Sequence, residues 1–395
     1  MPVLTGFRGG DLPDVVDMQQ LRLALSGEGC DCRYLHAASA MVAHTPEGLQ
    51  AGVNVFGPGS SPVMTSSATS MAHMREVSSI LLHDATFVSS SMTVVDQHNR
   101  LFLDGVDNVG DPIALAGFDP NYERTERGDL ALKEDCFRRT EDADCIALPV
   151  CGIGFHNYGH FLYDGLPAVF LHAQLFPDLP LRIVGQKLAP WQESILAALE
   201  LSDIYMEVRG QVTFRRLLAS TLMSLHVSYP TPFVRPLFDM MRFRFGARGN
   251  GPAKVFMSRA HHQARRQLRN REAVETMLTA HGFTVVRMDE LSVPEQAAIV
   301  GSAKFIVAES GAAMANIGFC QPGTKVLELQ PERFVEGWTR GMCKMFSHRW
   351  HVYFARVDSE PVIDAAGQQL NPKQHFSFEI DLADLALAVD TIDKA

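Results

Sequence analysis

The sequence is short of the features that mark several common protein classes. Its seven cysteines are an odd number scattered over 395 residues. Cys30 and Cys32 are the only close pair, and no second pair completes a zinc spacing. A disulfide framework is therefore excluded, and reduced, mostly buried thiols in a cytoplasmic protein are expected. The first residues lack the basic start and apolar core of a secretory signal. No run of about 18 uncharged apolar residues is present to span a membrane. The most apolar candidate, Leu217 to Leu225, is short and follows Arg215 and Arg216. Basic residues are outnumbered, 35 against 45 acidic, and the net charge of −10 disfavours nucleic acid as a partner. No Walker-type loop, GxSxG elbow or HExxH helix occurs, and no internal repeat is found.

What is there is an ordinary globular composition, 46% hydrophobic and 20% charged. The length exceeds one ordinary core and implies more than one domain. Residues 1–145 read as a β-rich or irregular extension. Within it, Gly57 to Ser70 is loop by composition, and 78–104 alternates as a hairpin or meander with a turn at Gln97–Asn99. Residues 105–145 are polar and acidic and read as loop with some helix. Residues 146–245 read as a first α/β lobe. Ile146 to Gly152 is a strand, and His156 to Phe176 is a helix kinked at Pro167. Residues 230–252 read as an interdomain connection. Residues 246–335 read as a second lobe of alternating strands and helices. Here Asn270 caps one helix, Gly282 ends it, and Ser292 with Glu295 forms a capping box for the next. Alternation of this kind implies a parallel sheet with crossovers. Residues 336–395 form a C-terminal segment that ends in a helical stretch, Asp381 to Ala395.

Four features could carry chemistry. Glu309 to Asn316, with Ser310, Gly311, Ala312, Ala313 and Asn316, forms a small-residue turn from a buried strand into a helix, which suits a diphosphate or serves packing alone. Arg259 stands just past a strand end, and Arg265, Arg266 and Arg269 follow before the next helix. They suit a phosphate-bearing ligand or form a solvated surface. His156, His160 and Asp164 recur every fourth residue, on one helical face, as a base with its orienting carboxylate or as a polar surface. Glu328 reads as a carboxylate at a strand end that could accept from ribose hydroxyls. Asp142 and Asp144 form a DxD pattern of the kind that holds a divalent metal. In a chain with 45 acidic residues such a pattern arises by chance, and no metal is expected.

In order along the chain these motifs resemble glycosyltransferase family 61. Asn157, His160, Asp164 and Pro167 match its first signature. Ser258, Arg259, Arg266 and Asn270 match the second, and Leu291, Ser292, Glu295 and Gln296 a helix start. Gly311, Ala312, Asn316, Phe319, Pro322, Glu328 and Leu329 match the last. The family's usual His before that glycine is Ser310 here, which can hydrogen-bond an oxygen but carries no charge. The resemblance implies a GT-B-like α/β fold of two Rossmann-like lobes facing a cleft, with the β-rich extension added and residues 336–395 packing back across the joint. It implies a nucleotide-sugar donor in the second lobe, on Arg259, Arg266, Asn270, Ser310 to Ala313, Asn316 and Glu328. A glycan or lipid-linked glycan acceptor is implied in the first lobe, near His156 and Asn157. Transfer is expected to invert the sugar, with no metal or other cofactor and with His160 or Asp164 as base. The expected location is the cytoplasm or the inner face of the membrane. A polysaccharide pyruvyltransferase on the same architecture and a non-catalytic sugar-nucleotide or glycan binder are the alternatives.

Overall fold

The computed structural model describes residues 3–8, 11–12, 16–26, 31–36, 42–43, 55–59, 72–73, 77–106, 111–133, 138–141, 144–150, 152, 154–223, 233–246, 251–260, 265–334, 337–358, 362–363, 370–371 and 375–395. It is a mixed α/β protein. The chain divides into two compact units, one of residues 1–42 and 73–227, the other of residues 43–72 and 228–395.

The first unit is built on a sheet of ten strands among the described residues. In chain order these are β1 (Thr5–Phe7), β2 (Cys32–Leu35), β3 (Ser78–Val88), β4 (Thr93–Val95), β5 (Arg100–Phe102), β6 (Arg138–Glu141), β7 (Ile146–Pro149), β8 (Leu181–Gly185), β9 (Tyr205–Glu207) and β10 (Gln211–Ser220). The main path runs β1-β5-β4-β3-β10-β7-β8-β9. Strands β3, β4 and β5 form the expected meander. Its turn at Gln97–Asn99 is held by Asp96, whose Oδ1 accepts from the amides of His98 and Arg100. Strands β10, β7, β8 and β9 pair in parallel. All four residues of β7 are buried, as a parallel strand covered on both faces requires. A buried chain of side chains crosses this unit: Ser79 Oγ lies 2.9 Å from His36 Nε2 and 2.8 Å from His172 Nε2.

Two expectations for this unit are corrected. Residues 105–145 contain strands, including a hairpin of Tyr122–Arg124 with Leu130–Leu132. Its turn places Gly128 at φ +89, and its alternate residues Tyr122, Leu130 and Leu132 enter a small core. The expected kink at Pro167 is absent. The helix is interrupted earlier, at Asp164–Gly165, giving α1 (Tyr158–Tyr163) and α2 (Leu166–Leu175). Gly165 adopts φ 101, open to glycine, and Pro167 falls in the first turn of α2, where its missing N–H costs nothing.

The second unit holds a fully parallel sheet. Its strands are β11 (Lys254–Met257), β12 (Thr284–Val286), β13 (Phe305–Glu309), β14 (Lys325–Pro331) and β15 (Arg349–Ala355), with the short strand Val55–Phe56 beyond β15. The spatial order is β12-β11-β13-β14-β15. This is a doubly wound order in which β11 and β13 flank the point where the winding reverses. Ahead of the sheet, α3 (Val234–Arg244) occupies the stretch expected to be a connection. Val234, Leu237, Phe238 and Met241 are buried along one face, and Pro236 sits in the first turn. Next come α4 (Arg271–Ala280) and α5 (Val293–Ser302). Gly282, at φ +83, ends α4, and the Ser292 amide donates to Glu295 at 2.8 Å, as expected for a capping box. The C-terminal helix α6 (Leu382–Lys394) buries Leu385, Ala388, Val389 and Ile392 in the same core as Val274 and Leu278 of α4.

Candidate functional site

In the first unit the chain leaves β7 and reaches α1 through residues 150–157. Asn157 caps α1, with its Oδ1 accepting from the amides of Gly159 and His160 at 3.0 and 3.3 Å. One turn on, His160 Nδ1 donates to Asp164 Oδ2 at 2.7 Å. The imidazole is 31% exposed and the carboxylate 2%. An ionised carboxylate only accepts, so the neutral ring carries its proton on Nδ1 and presents Nε2 as the acceptor. Gly154 braces the ring from behind: a Cβ there would lie 2.4 Å from the His160 Cβ. His156 does not share this face. It precedes α1, and its Nε2 donates to Gln186 Oε1 at 2.8 Å. Gln186 follows β8 and is fixed by donating to the carbonyls of Ser89 and Ser90. The four-residue spacing thus holds for His160 and Asp164 and fails for His156, because the helix starts after it.

In the second unit Arg259 follows β11, and Ser310 to Ala313 follow β13. Both stand at the carboxyl edge on either side of the reversal, where open α/β sheets bind ligands. Arg259 is 9% exposed. Its amide donates to Glu309 Oε1 and its Nη1 to the Ser310 carbonyl, both at 3.0 Å. Burial lowers the Arg259 guanidinium from its ordinary value; Glu309 opposes this and Arg271 adds to it. Gly311 is extended at φ 160, a conformation open to any residue. Arg259 is what demands glycine there, since a Cβ would lie 3.0 Å from its Nε. The turn then enters a 3-10 helix, Ala312–Phe319. Met314 is bonded back to Gly311, and a helix start leaves its opening amides without partners inside the helix.

The other expected donor contacts are placed differently. Asn270 stands at the N-cap of α4, but its side chain does not cap the helix. It donates to the Ile380 carbonyl at 2.7 Å and accepts from the Ile380 amide at 3.2 Å. Asn316 is fully buried and donates to Gln296 Oε1 at 2.8 Å and to the Ala313 carbonyl at 3.1 Å, tying the turn to α5. The arginines after Arg259 do not converge. Arg265 is exposed, and Arg266, at φ 53, stacks 3.8 Å from the Phe334 centroid. Arg269 pairs with Asp358 and Glu379. Glu328 lies inside β14, not at its end, because β15 extends the ladder past it. It is 0% exposed, with Thr339 donating to Oε1 at 3.0 Å and Trp350 to Oε2 at 3.1 Å. Burial raises its carboxyl, while hydrogen bonds from Gln330, Trp350, Ser310 and Thr339 act against the rise.

The sequence reading missed Arg271 and Gln186. Arg271 forms a two-pronged pair with Glu309, bonding to Oε1 and, at 3.0 Å, to Oε2. It also reaches Ser258 Oγ, which donates to Glu275. The available signal was Glu309 itself, a carboxylate at the end of a wholly apolar strand that cannot be buried without a cation.

Asp142 lies outside the described residues, and Asp144 offers its carbonyl to Arg216. Among the described residues, no group of three or more His, Cys, Asp or Glu side chains could hold a metal ion. Nor is any helix long and apolar enough to cross a membrane. A depression of about 420 Å³ lies over α4, lined by Glu272, Glu275, Thr276, Thr279 and Val285; neither Arg259 nor Gly311 lines it.

The fold and these edges define an α/β protein whose second sheet is doubly wound and carries an arginine and a glycine turn at its reversal. Residues 158–327 match the family model described as Glycosyltransferase 61, and this match supports a family 61 glycosyltransferase. A glycosyltransferase acts on a sugar donor and an acceptor. The matched stretch includes His160, Asp164, Arg259, Ser310 and Gly311, whereas His156, Asn157 and Glu328 fall outside it. No curated protein matches the chain.

Proposed function

We propose that the protein transfers a hexosyl or pentosyl group from a nucleotide-sugar donor to a hydroxyl of a glycan or lipid-linked glycan. The transfer inverts the anomeric centre, needs no divalent metal and uses a GT-B-like pair of lobes in the cytoplasm or at the inner membrane face. The observation that carries this reading is the 2.7 Å bond between His160 and Asp164, inside the matched stretch.

The chemistry is one displacement. Asp164 holds the ring in the Nδ1–H tautomer and stabilises the imidazolium as Nε2 takes the acceptor proton. The acceptor oxygen forms its bond to the anomeric carbon as the bond to the diphosphate oxygen breaks. Negative charge grows on the diphosphate, where the Arg259 guanidinium and the amides of Gly311 to Ala313 receive it; the Ser310 amide, expected to join them, donates instead to the Leu329 carbonyl at 3.1 Å. Asn270 and Asn316 act through the backbone they hold. The ribose role expected of Glu328 needs an exposed carboxylate; buried beneath Ser310, it supports the turn. His156, set by Gln186, and Asn157 serve the acceptor side.

The test is donor turnover by His160→Ala and Asp164→Asn. Both are expected to lose turnover while retaining nucleotide binding. Normal turnover by both would remove the assignment, and stabilisation by phosphoenolpyruvate instead of a nucleotide sugar would replace it with pyruvyl transfer.

A further inference from the structure

The donor reading places a diphosphate at the carboxyl edge of β11 and β13, yet that edge carries its own carboxylate. Glu309 is 2% exposed and takes up two donors that anion sites commonly use, the Arg271 guanidinium and the Arg259 amide. Arg271 keeps 15% of its side chain exposed. Arg259, Arg271 and Glu309 together leave a single net positive charge. Among the described residues, the Arg259 guanidinium donates through Nη1 alone, to the Ser310 carbonyl. Its Nε and Nη2 donate to no described residue, and the close pass over Gly311 sets the plane of the guanidinium.

We propose that Glu309 is a built-in counter-anion that limits the hold on the diphosphate, with Arg271 as the cation that holds it in place. This inference rests on the donor reading above. In that reading the leaving nucleoside diphosphate is also the product. A site of two unopposed arginines would bind it in every state and release it slowly. Glu309 weakens ground-state binding, while the directed donors of Arg259 and the turn meet the charge that grows during transfer. Glu309 and Arg271 are positioning and tuning residues that act through Arg259.

Opposite signs test this. The full-length protein is titrated by calorimetry with UDP, GDP, TDP and inorganic pyrophosphate, alongside Glu309→Gln and Arg271→Met. Glu309→Gln keeps the shape and an oxygen for the Arg259 amide but frees the Arg271 charge. It is expected to tighten the diphosphate that the wild type binds by about tenfold, with the gain shrinking as salt is raised. It should also lower kcat through slower product release. Arg271→Met leaves Glu309 unopposed and is expected to weaken binding about tenfold or more. If Arg271→Met does not fold, the sign for Glu309→Gln decides alone. Unchanged or weaker binding by folded Glu309→Gln, with a binding wild type, overturns the counter-anion and leaves the donor reading intact. No binding of any of the four by the wild type overturns both.

Discussion

In the first unit the candidate chemistry rests on two side chains one helical turn apart, joined by a hydrogen bond of 2.7 Å at the end of a six-residue helix. In the second it rests on a charge network whose members lie far apart in the chain, Arg259 and Arg271 meeting Glu309 across 50 and 38 residues. The first arrangement is local and leaves its imidazole 31% exposed. The second is buried and serves the fold as well as the proposed donor site. A residue of the first kind can be removed at little cost to stability, whereas one of the second kind cannot. A group that must take and give a proton suits the open, local setting. Groups that only hold charge in place suit the buried one.

The largest expected effect breaks the local side. His160→Ala should lower kcat by about 10²- to 10⁴-fold, the range for loss of a general base, with the thermal midpoint nearly unchanged. Turnover assays paired with melting curves check this, and a large fall in stability would blur the contrast. The next effect falls on the network side. Arg271→Met leaves Glu309 buried and uncompensated and should cost about 3–5 kcal/mol of the second unit's stability, read from denaturant unfolding. A cost as small as that of His160→Ala would show the pair to be a surface one in effect.

Acid should separate the units. In the first, burial lowers His36 to about 4 and His172 to about 3, the charge of His36 adding to the fall for His172. In the second, burial and nearby Arg242 and Arg235 lower His348 to about 4, although its Nε2 donates to the Ile317 carbonyl at 2.9 Å, which opposes the fall. Each ring is neutral when folded and binds a proton when unfolded below pH about 6.5. The unfolded state therefore binds more protons, so stability is complete above about 6.5 and falls as pH drops toward 4. The loss is about 3 kcal/mol per ring by pH 4. With two such rings against one, the first unit should unfold first on acidification. Melting curves between pH 7.5 and 4.5 would show this, and His172→Gln should flatten the slope. The smallest effect is geometric. Gly154→Ala puts a methyl against the His160 ring and should reduce kcat about tenfold through misplacement of the base, with donor affinity unchanged.

Much of the second unit was legible because its strands are short apolar runs bounded by glycine and polar caps, and a fully parallel sheet needs that pattern. The Ser292–Glu295 capping box and the Gly282 stop were legible for the same local reason. The His160–Asp164 pair was legible because both residues lie within one helical turn. Other features were hidden by longer-range causes. The break at Asp164–Gly165 depends on a backbone angle that spacing does not reveal. The helix Val234–Arg244 was masked by flanking prolines and glycines that lie outside its body. The position of Glu328 within its strand is set by pairing to residues 349–355, which extends the ladder beyond the apolar run. The Arg271–Glu309 pair joins two elements separated by a strand and a helix, a contact that periodicity cannot signal.

The most direct test of nucleotide-sugar transfer is a thermal-shift series with UDP, GDP, CMP and TDP sugars in EDTA, on the wild type and on Arg259→Ala. A ligand at about 100 times its Kd adds roughly 2.7 kcal/mol, enough to raise the midpoint by several degrees. One nucleotide class is expected to shift the wild type and to leave Arg259→Ala where it was. No shift with any donor, or a shift that survives in Arg259→Ala, would contradict a donor site at the reversal between β11 and β13.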